Sequence, residues 1–187
     1  MPMNNIKIGL IIGSLRADSY SRKVAQFLTK VAPPPLQLEI IELNNLSMYN
    51  QDLEKDLPAQ WSAFRNQIKS CTGIIFVTPE YNRSIPGVLK NAIDIGSRPI
   101  SENAWKDKPA GIVSISPGVM GAFGANHHLR QCLVFLNVAA MPQPEVYLGK
   151  VNTFFNENGV LINEDSKHFL EAFMQAYKIW LSRFANL

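Results

Sequence analysis

The sequence predicts an open, doubly wound α/β domain built on a parallel sheet. Three observations carry that prediction. Short apolar, β-branched runs recur along the chain, at 6–13, 36–43, 73–78 and 110–116. Each is followed by apolar residues at helical spacing, and loops rich in glycine, serine or proline separate run from helix. Strands alternating with helices in this way imply right-handed crossovers and a parallel sheet covered on both faces.

The elements follow in order. Residues 6–13 are almost unbroken in apolar character and end in Gly13-Ser14, as expected of a strand buried on both faces. Val24, Phe27, Leu28 and Val31 then mark a helix that Pro33-Pro34-Pro35 stops. After a second strand and a polar loop, Trp61, Phe64, Ile68 and Cys71 share one helical face. The third strand, 73–78, opens onto Pro79-Glu80-Tyr81-Asn82-Arg83-Ser84-Ile85-Pro86-Gly87. A short helix over 86–96 follows, with proline near its start, where the missing N–H does no harm. A polar, charged connection over 97–108 leads to the fourth strand, a glycine-rich loop at 117–124 and a helix marked by Leu129, Cys132, Leu133 and Leu136. Residues 145–148 read as a short fifth strand. In the last helix, Phe169, Leu170, Phe173, Met174, Tyr177, Trp180, Leu181 and Phe184 form one apolar stripe, which is core packing. Five such units give the order 2-1-3-4-5, the flavodoxin-like three-layer α/β/α arrangement. No repeat, low-complexity tract or linker interrupts the chain, so residues 1–187 are read as a single domain.

Composition narrows the class. A hydrophobic fraction of 47% and a charged fraction of 18% suit a globular protein. No apolar run approaches the roughly 20 residues of a membrane span, and the N-terminus shows no basic region followed by an apolar stretch. Cys71 and Cys132 form no metal or redox spacing and are read as reduced core residues, which fits a cytoplasmic protein. The net charge of +3 is scattered along the chain, so nothing supports nucleic-acid binding. The strong one-sign field of a docking electron carrier is absent as well.

In the 2-1-3-4-5 order, ligands bind beyond the carboxyl ends of strands 1 and 3. The loop after strand 1 runs Gly13-Ser14-Leu15-Arg16-Ala17-Asp18-Ser19-Tyr20-Ser21-Arg22 and is neither a dinucleotide fingerprint nor a Walker A loop. It offers serine hydroxyls, a guanidinium and a helix N-terminus, the parts of a terminal phosphate site; a serine-capped helix with a solvated arginine explains the same residues. A phosphoacceptor domain would need acidic residues at the end of strand 1, where Gly13 and Ser14 stand. The 79–87 run offers a flat wall, and the 114–124 loop adds three glycines that let backbone approach a ligand closely. Together the three loops suit a mononucleotide.

These residues carry a family resemblance. Gly13-Ser14-Leu15-Arg16, Pro79-Glu80-Tyr81-Asn82, the 85–94 stretch from Ile85 to Asp94 and the loop from Ser116 to Gly124 resemble the NAD(P)H-dependent FMN reductase family, in its bacterial chromate and quinone reductase branch. The similarity runs from strand 1 to about Glu145; the C-terminal third matches only in general pattern. The resemblance implies that Ser14, Arg16, Ser19 and Ser21 hold the FMN phosphate, with Tyr20 nearby. It implies that Pro79, Glu80, Tyr81 and Asn82 line the isoalloxazine, mostly through backbone, and that Ser116 and Gly118, with Gly121, close the other side. NADPH or NADH would be the co-substrate, and turnover would be ping-pong hydride transfer through bound FMN to quinones, free flavin, azo compounds or metal oxyanions such as chromate. No side chain is demanded as catalytic acid, base or nucleophile, and no metal is implied. Relatives assemble as dimers or tetramers, so a homo-oligomer, and specifically a homotetramer, is expected. Where relatives often carry an aromatic residue this chain has Arg83. A guanidinium there favours anionic acceptors or the NADPH 2′-phosphate, or it pairs with an interface carboxylate such as Glu145. The other classes kept open are a flavodoxin-type electron carrier and a non-catalytic flavin-binding regulatory module.

Overall fold

A computed structural model of the chain describes residues 5–184. The central strands are β1 (Ile6–Ile12), β2 (Leu36–Ile41), β3 (Gly73–Thr78) and β4 (Pro109–Ile115), all parallel. The strand order is β2-β1-β3-β4 with the last strand position beyond β4, as the sequence predicts. That position is filled by two pieces, β5 (Ala139–Ala140) and β6 (Val146–Leu148), each pairing parallel with β4. Only the second piece is expected from the sequence, which places a short strand at 145–148. Pro142 and Pro144 lie between the two and have no N–H to give a ladder.

Helices α1 (Tyr20–Lys30), α2 (Ala59–Lys69), α3 (Gly87–Ser97), α4 (Phe123–Phe135) and α5 (Glu164–Ser182) cover the sheet. Alternation along the strands decides which helix packs where. Ile74 and Phe76 of β3 face a core shared with Trp61, Phe64 and Ile68 of α2, Leu89 of α3 and Leu129 of α4. Ile75 and Val77 face the opposite core, with Val24 and Leu28 of α1 and Phe173, Met174 and Tyr177 of α5. The predicted stripe of the last helix is thus core, although Phe169 at its edge is exposed. Tyr177 donates to the Ile74 carbonyl at 3.0 Å, and burial pushes its hydroxyl pKa well above the ordinary tyrosine value.

The polar 97–108 connection contains a buried anchor. Trp105 is 1% exposed and its indole N–H donates to the Ile93 carbonyl at 3.0 Å. Its ring lies so close to residue 96 that only glycine fits there. Cys71 and Cys132 are both free thiols; Cys71 lies beyond the end of α2 and is buried, and Cys132 is half-buried on α4.

Candidate active site

Because the strands are parallel, the loops after β1, β3 and β4 open on one edge of the sheet. The first leads into α1. Ser19 caps that helix by accepting from the Arg22 N–H at 3.1 Å, which leaves the N–H groups of Tyr20 and Ser21 without an acceptor among the described residues. Ser14 and Ser21 are buried beside them. Arg16 is exposed and has no acidic partner among the described residues, whereas Asp18 is held by Lys23 at 2.7 Å. Arg22 is committed elsewhere, with its guanidinium bidentate on Glu42 at 2.9 and 2.8 Å. The Tyr20 ring stacks on Phe155 with centroids 6.0 Å apart, so the loop before α5 buttresses this end.

The second loop is a two-residue hairpin. Tyr81 N–H donates to the Ser84 carbonyl at 2.9 Å and Ser84 N–H returns the bond at 3.0 Å. Asn82 and Arg83, with φ of 50° and 66°, are both left-handed, which defines a type I′ turn. The Thr78 hydroxyl bonds the Pro79 carbonyl at 2.8 Å and stiffens the entry. The N–H groups of Glu80 and Asn82 have no acceptor among the described residues. Arg83 is exposed at the tip of the turn. Within the chain Glu145 lies 3.8 Å from Arg130 instead. Burial, followed by the contribution of Glu145, pushes the pKa of Tyr147 up to about 12.

The third loop contributes Ser116 and Pro117, and the resulting cleft has a volume of about 220 Å³. It collects Ser14, Arg16, Ser19, Tyr20 and Ser21 from the loop after β1 and the start of α1, Pro79, Glu80 and Tyr81 as the wall after β3, and Ser116 from the loop after β4. Asn82 and Gly118 lie outside this lining. Asn82 takes the first central position of the turn, and the Gly118 carbonyl accepts from Lys150 N–H and the Ser116 hydroxyl. Gly121, also left-handed at φ 58°, packs on the end of β6. Three lining residues were missed from sequence: Ile115, Pro117 and Val151. Ile115 is legible as the last residue of a buried strand. Val151 has no local signal; its N–H reaches the Ser116 carbonyl at 3.1 Å because β6 pairs with β4.

The donor set fits an FMN. Free helix N–H groups, serine hydroxyls and an unpaired guanidinium suit a phosphate, and the wall has the free backbone N–H of Glu80 for a polar ring edge. The carboxylate in the lining, Glu80, is turned to α4, where it accepts from the Ala125 N–H at 3.0 Å. The histidines on α4 point to other work: His127 packs against Phe123 and Tyr147, and His128 bonds Ser84 at 2.9 Å. No group of three or more His, Cys, Asp or Glu among the described residues is arranged to hold a metal ion. Among the described residues no helix is long and apolar enough to cross a membrane.

Fold and cleft together define a doubly wound α/β protein with a cleft suited to a phosphorylated, planar cofactor at the carboxyl edge of its sheet. The chain belongs to the NADPH-dependent FMN reductase family, whose model matches residues 6–153. A quinone reductase of Pseudomonas putida is 48% identical over 175 residues, covering 93% of this chain and 94% of the relative. A 2-hydroxy-1,4-benzoquinone reductase from a Burkholderia species is 39% identical, covering 94% and 96%. Among solved structures, a flavoenzyme NAD(P)H:(acceptor) oxidoreductase from Paracoccus denitrificans superposes with a TM-score of 0.89 at 34% identity, covering 95% of this chain and 98% of that one.

Proposed function

We propose that the protein is an NAD(P)H-dependent FMN oxidoreductase that reduces quinones and related small acceptors, including free flavin, azo compounds and metal oxyanions such as chromate. The observation that carries this reading is the pairing of two features in one cleft. Arg16 and the open N–H groups of α1 form an anion site, and the Pro79–Tyr81 wall stands beside it with the unused N–H of Glu80. Bound FMN supplies the redox chemistry, taking hydride from NADPH or NADH and passing electrons to the acceptor.

The chain's own residues bind and orient. Arg16, Ser14, Ser19, Ser21 and the α1 N-terminus hold the phosphate, with Tyr20 closing that end. The N–H of Glu80 orients the ring, with Asn82 just beyond it in the turn, while Ser116 borders the other side and is backed by the Gly118 carbonyl. No proton need be held on a side chain. The scattered charge offers no docking field for a carrier protein, which weighs against the flavodoxin-type alternative.

The protein acts as a single domain in the cytoplasm and as a homo-oligomer, a dimer or tetramer. Support for assembly comes from the end of α4, where Val134 and Phe135 are 78% and 77% exposed. Beside them runs a groove of about 360 Å³ between α3 and α4. Large apolar side chains left this open mark contact surfaces.

The experiment is a kinetic panel on purified protein. It should be yellow, bleach under anaerobic NAD(P)H, and consume coenzyme steadily with a quinone and no added reductase. A colourless protein that fails to bind added FMN overturns the reading; FMN binding without turnover would leave a carrier or regulatory module.

A further inference from the structure

Helix α4 begins without a cap of its own. Its N-cap residue, Ala122, has no side-chain acceptor and sits in the left-handed region at φ 61°, ψ 41°, and the first turn holds no acidic residue. A helix start in this state leaves N–H groups unsatisfied and its positive dipole end uncompensated. The acceptor comes from another loop. Glu80 Oε2 takes the N–H of Ala125, the third helical residue, at 3.0 Å across 45 positions of sequence. This is the bond an N-cap side chain makes.

Two further contacts join the same partners. A Cβ at residue 124 would stand 2.8 Å from the Arg83 carbonyl oxygen and 3.0 Å from Glu80 Oε2, so glycine lets the helix start close onto the turn. One helical turn later, His128 Nδ1 bonds the Ser84 hydroxyl at 2.9 Å. The 81–84 turn is therefore bonded to α4 at its entry and its exit, and its tip packs closely against Gly124.

We infer that Glu80 is a positioning residue. Its carboxylate, serving as the missing cap of α4, holds the hairpin turn against that helix and so sets the place of the free Glu80 N–H in the cleft and of the Asn82 N–H just beyond it. The inference rests on the FMN-binding reading above. It gives Glu80 a side-chain task separate from the backbone contact expected of it, and it places the cap within the lining of the cleft.

The test uses full-length protein, first as apoprotein and then with FMN. In the apoprotein, Glu80→Ala should speed amide exchange at 123–126 and across the 81–84 turn together, by roughly five- to tenfold, the value of one cap. FMN affinity should fall by a similar factor. Glu80→Gln keeps an acceptor oxygen and should restore most of both. Should Glu80→Ala fail to fold, Gly124→Ala serves as the second variant. Alanine favours the helix itself, but its Cβ must displace the Arg83 backbone, so the turn should move off α4, amide exchange across 81–84 should speed up and FMN affinity should fall. Wild-type exchange at Ala125 in Glu80→Ala overturns the inference. So does faster exchange confined to α4 with the turn and FMN affinity unchanged, a Gln variant as impaired as Ala, or wild-type FMN affinity in Gly124→Ala. If the wild-type protein itself does not bind FMN, the functional reading fails, while apoprotein exchange still decides whether Glu80 locks the turn.

Discussion

Asn91 Oδ1 accepts the N–H of Tyr49 at 2.7 Å, while its Nδ2 donates to the Ser47 carbonyl at 3.0 Å. Asn91 is buried on α3, and these two bonds tie down the long loop after β2, whose Ser47 hydroxyl also accepts the Trp61 indole N–H at 3.0 Å. Asn91→Leu keeps the branched shape but strands the Tyr49 N–H and the Ser47 carbonyl. The expected loss is about 3 kcal/mol, read as a fall in melting temperature of roughly 6–12 °C, with FMN affinity nearly unchanged because Asn91 is outside the cleft lining. A melting temperature within a degree or two of wild type would show that the loop is held by other contacts.

Arg16 is exposed, has no acidic partner among the described residues and lines the cleft. Arg16→Ala should weaken FMN binding by roughly 10- to 100-fold, the worth of a charge-assisted phosphate contact. Titration of the apoprotein with FMN, followed by flavin fluorescence, measures this directly. Unchanged affinity would place the phosphate elsewhere.

Arg83 pays a backbone penalty for its position, since φ of 66° disfavours a residue with a Cβ. Arg83→Gly should raise stability by about 1 kcal/mol, or roughly 2–4 °C in melting temperature. The same change should shift coenzyme or acceptor preference away from the more anionic member of each pair, NADPH against NADH and chromate against a neutral quinone, with flavin retained. Identical kinetic constants across that panel would make the guanidinium a bystander.

Glu42 is held below the ordinary carboxylate value of 4.5, first by its hydrogen bonds to Arg22 and then by the nearby charge. A folded-state pKa below the unfolded one adds stability that is complete above the unfolded value and is lost as pH falls through the folded one. The pair is half-exposed on the Glu42 side, so solvent screening limits it to about 1 kcal/mol. Glu42→Gln should therefore be less stable than wild type at pH 7 by about that amount, and the two proteins should converge in urea titrations below pH 4.5. A constant difference down to strongly acid pH would exclude the linkage.

Much of the fold was legible because its signals are local. Apolar runs at 6–13 and 73–78 became β1 and β3 to within a residue, and the spacing of Val24 and Leu28 became the buried face of α1. The piece of strand at Ala139–Ala140 was not legible, because two residues carry no period. In the cleft, the serines and Arg16 stood out as residue types suited to phosphate. Glu80 stood out only through its motif, and the motif gave no hint that its carboxylate faces α4.

The sequence by itself determined the alternation of strand and helix, the class of sheet and the chemical character of each loop. Those properties depend on neighbours a few residues apart. Tertiary structure decided which loops meet. The pairing of β6 with β4 brings Val151 beside Ser116, and the crossover through β4 carries Ala125 back to Glu80. Such contacts depend on strand order and on the free backbone groups left at a helix end, and neither is written in the composition of a single segment.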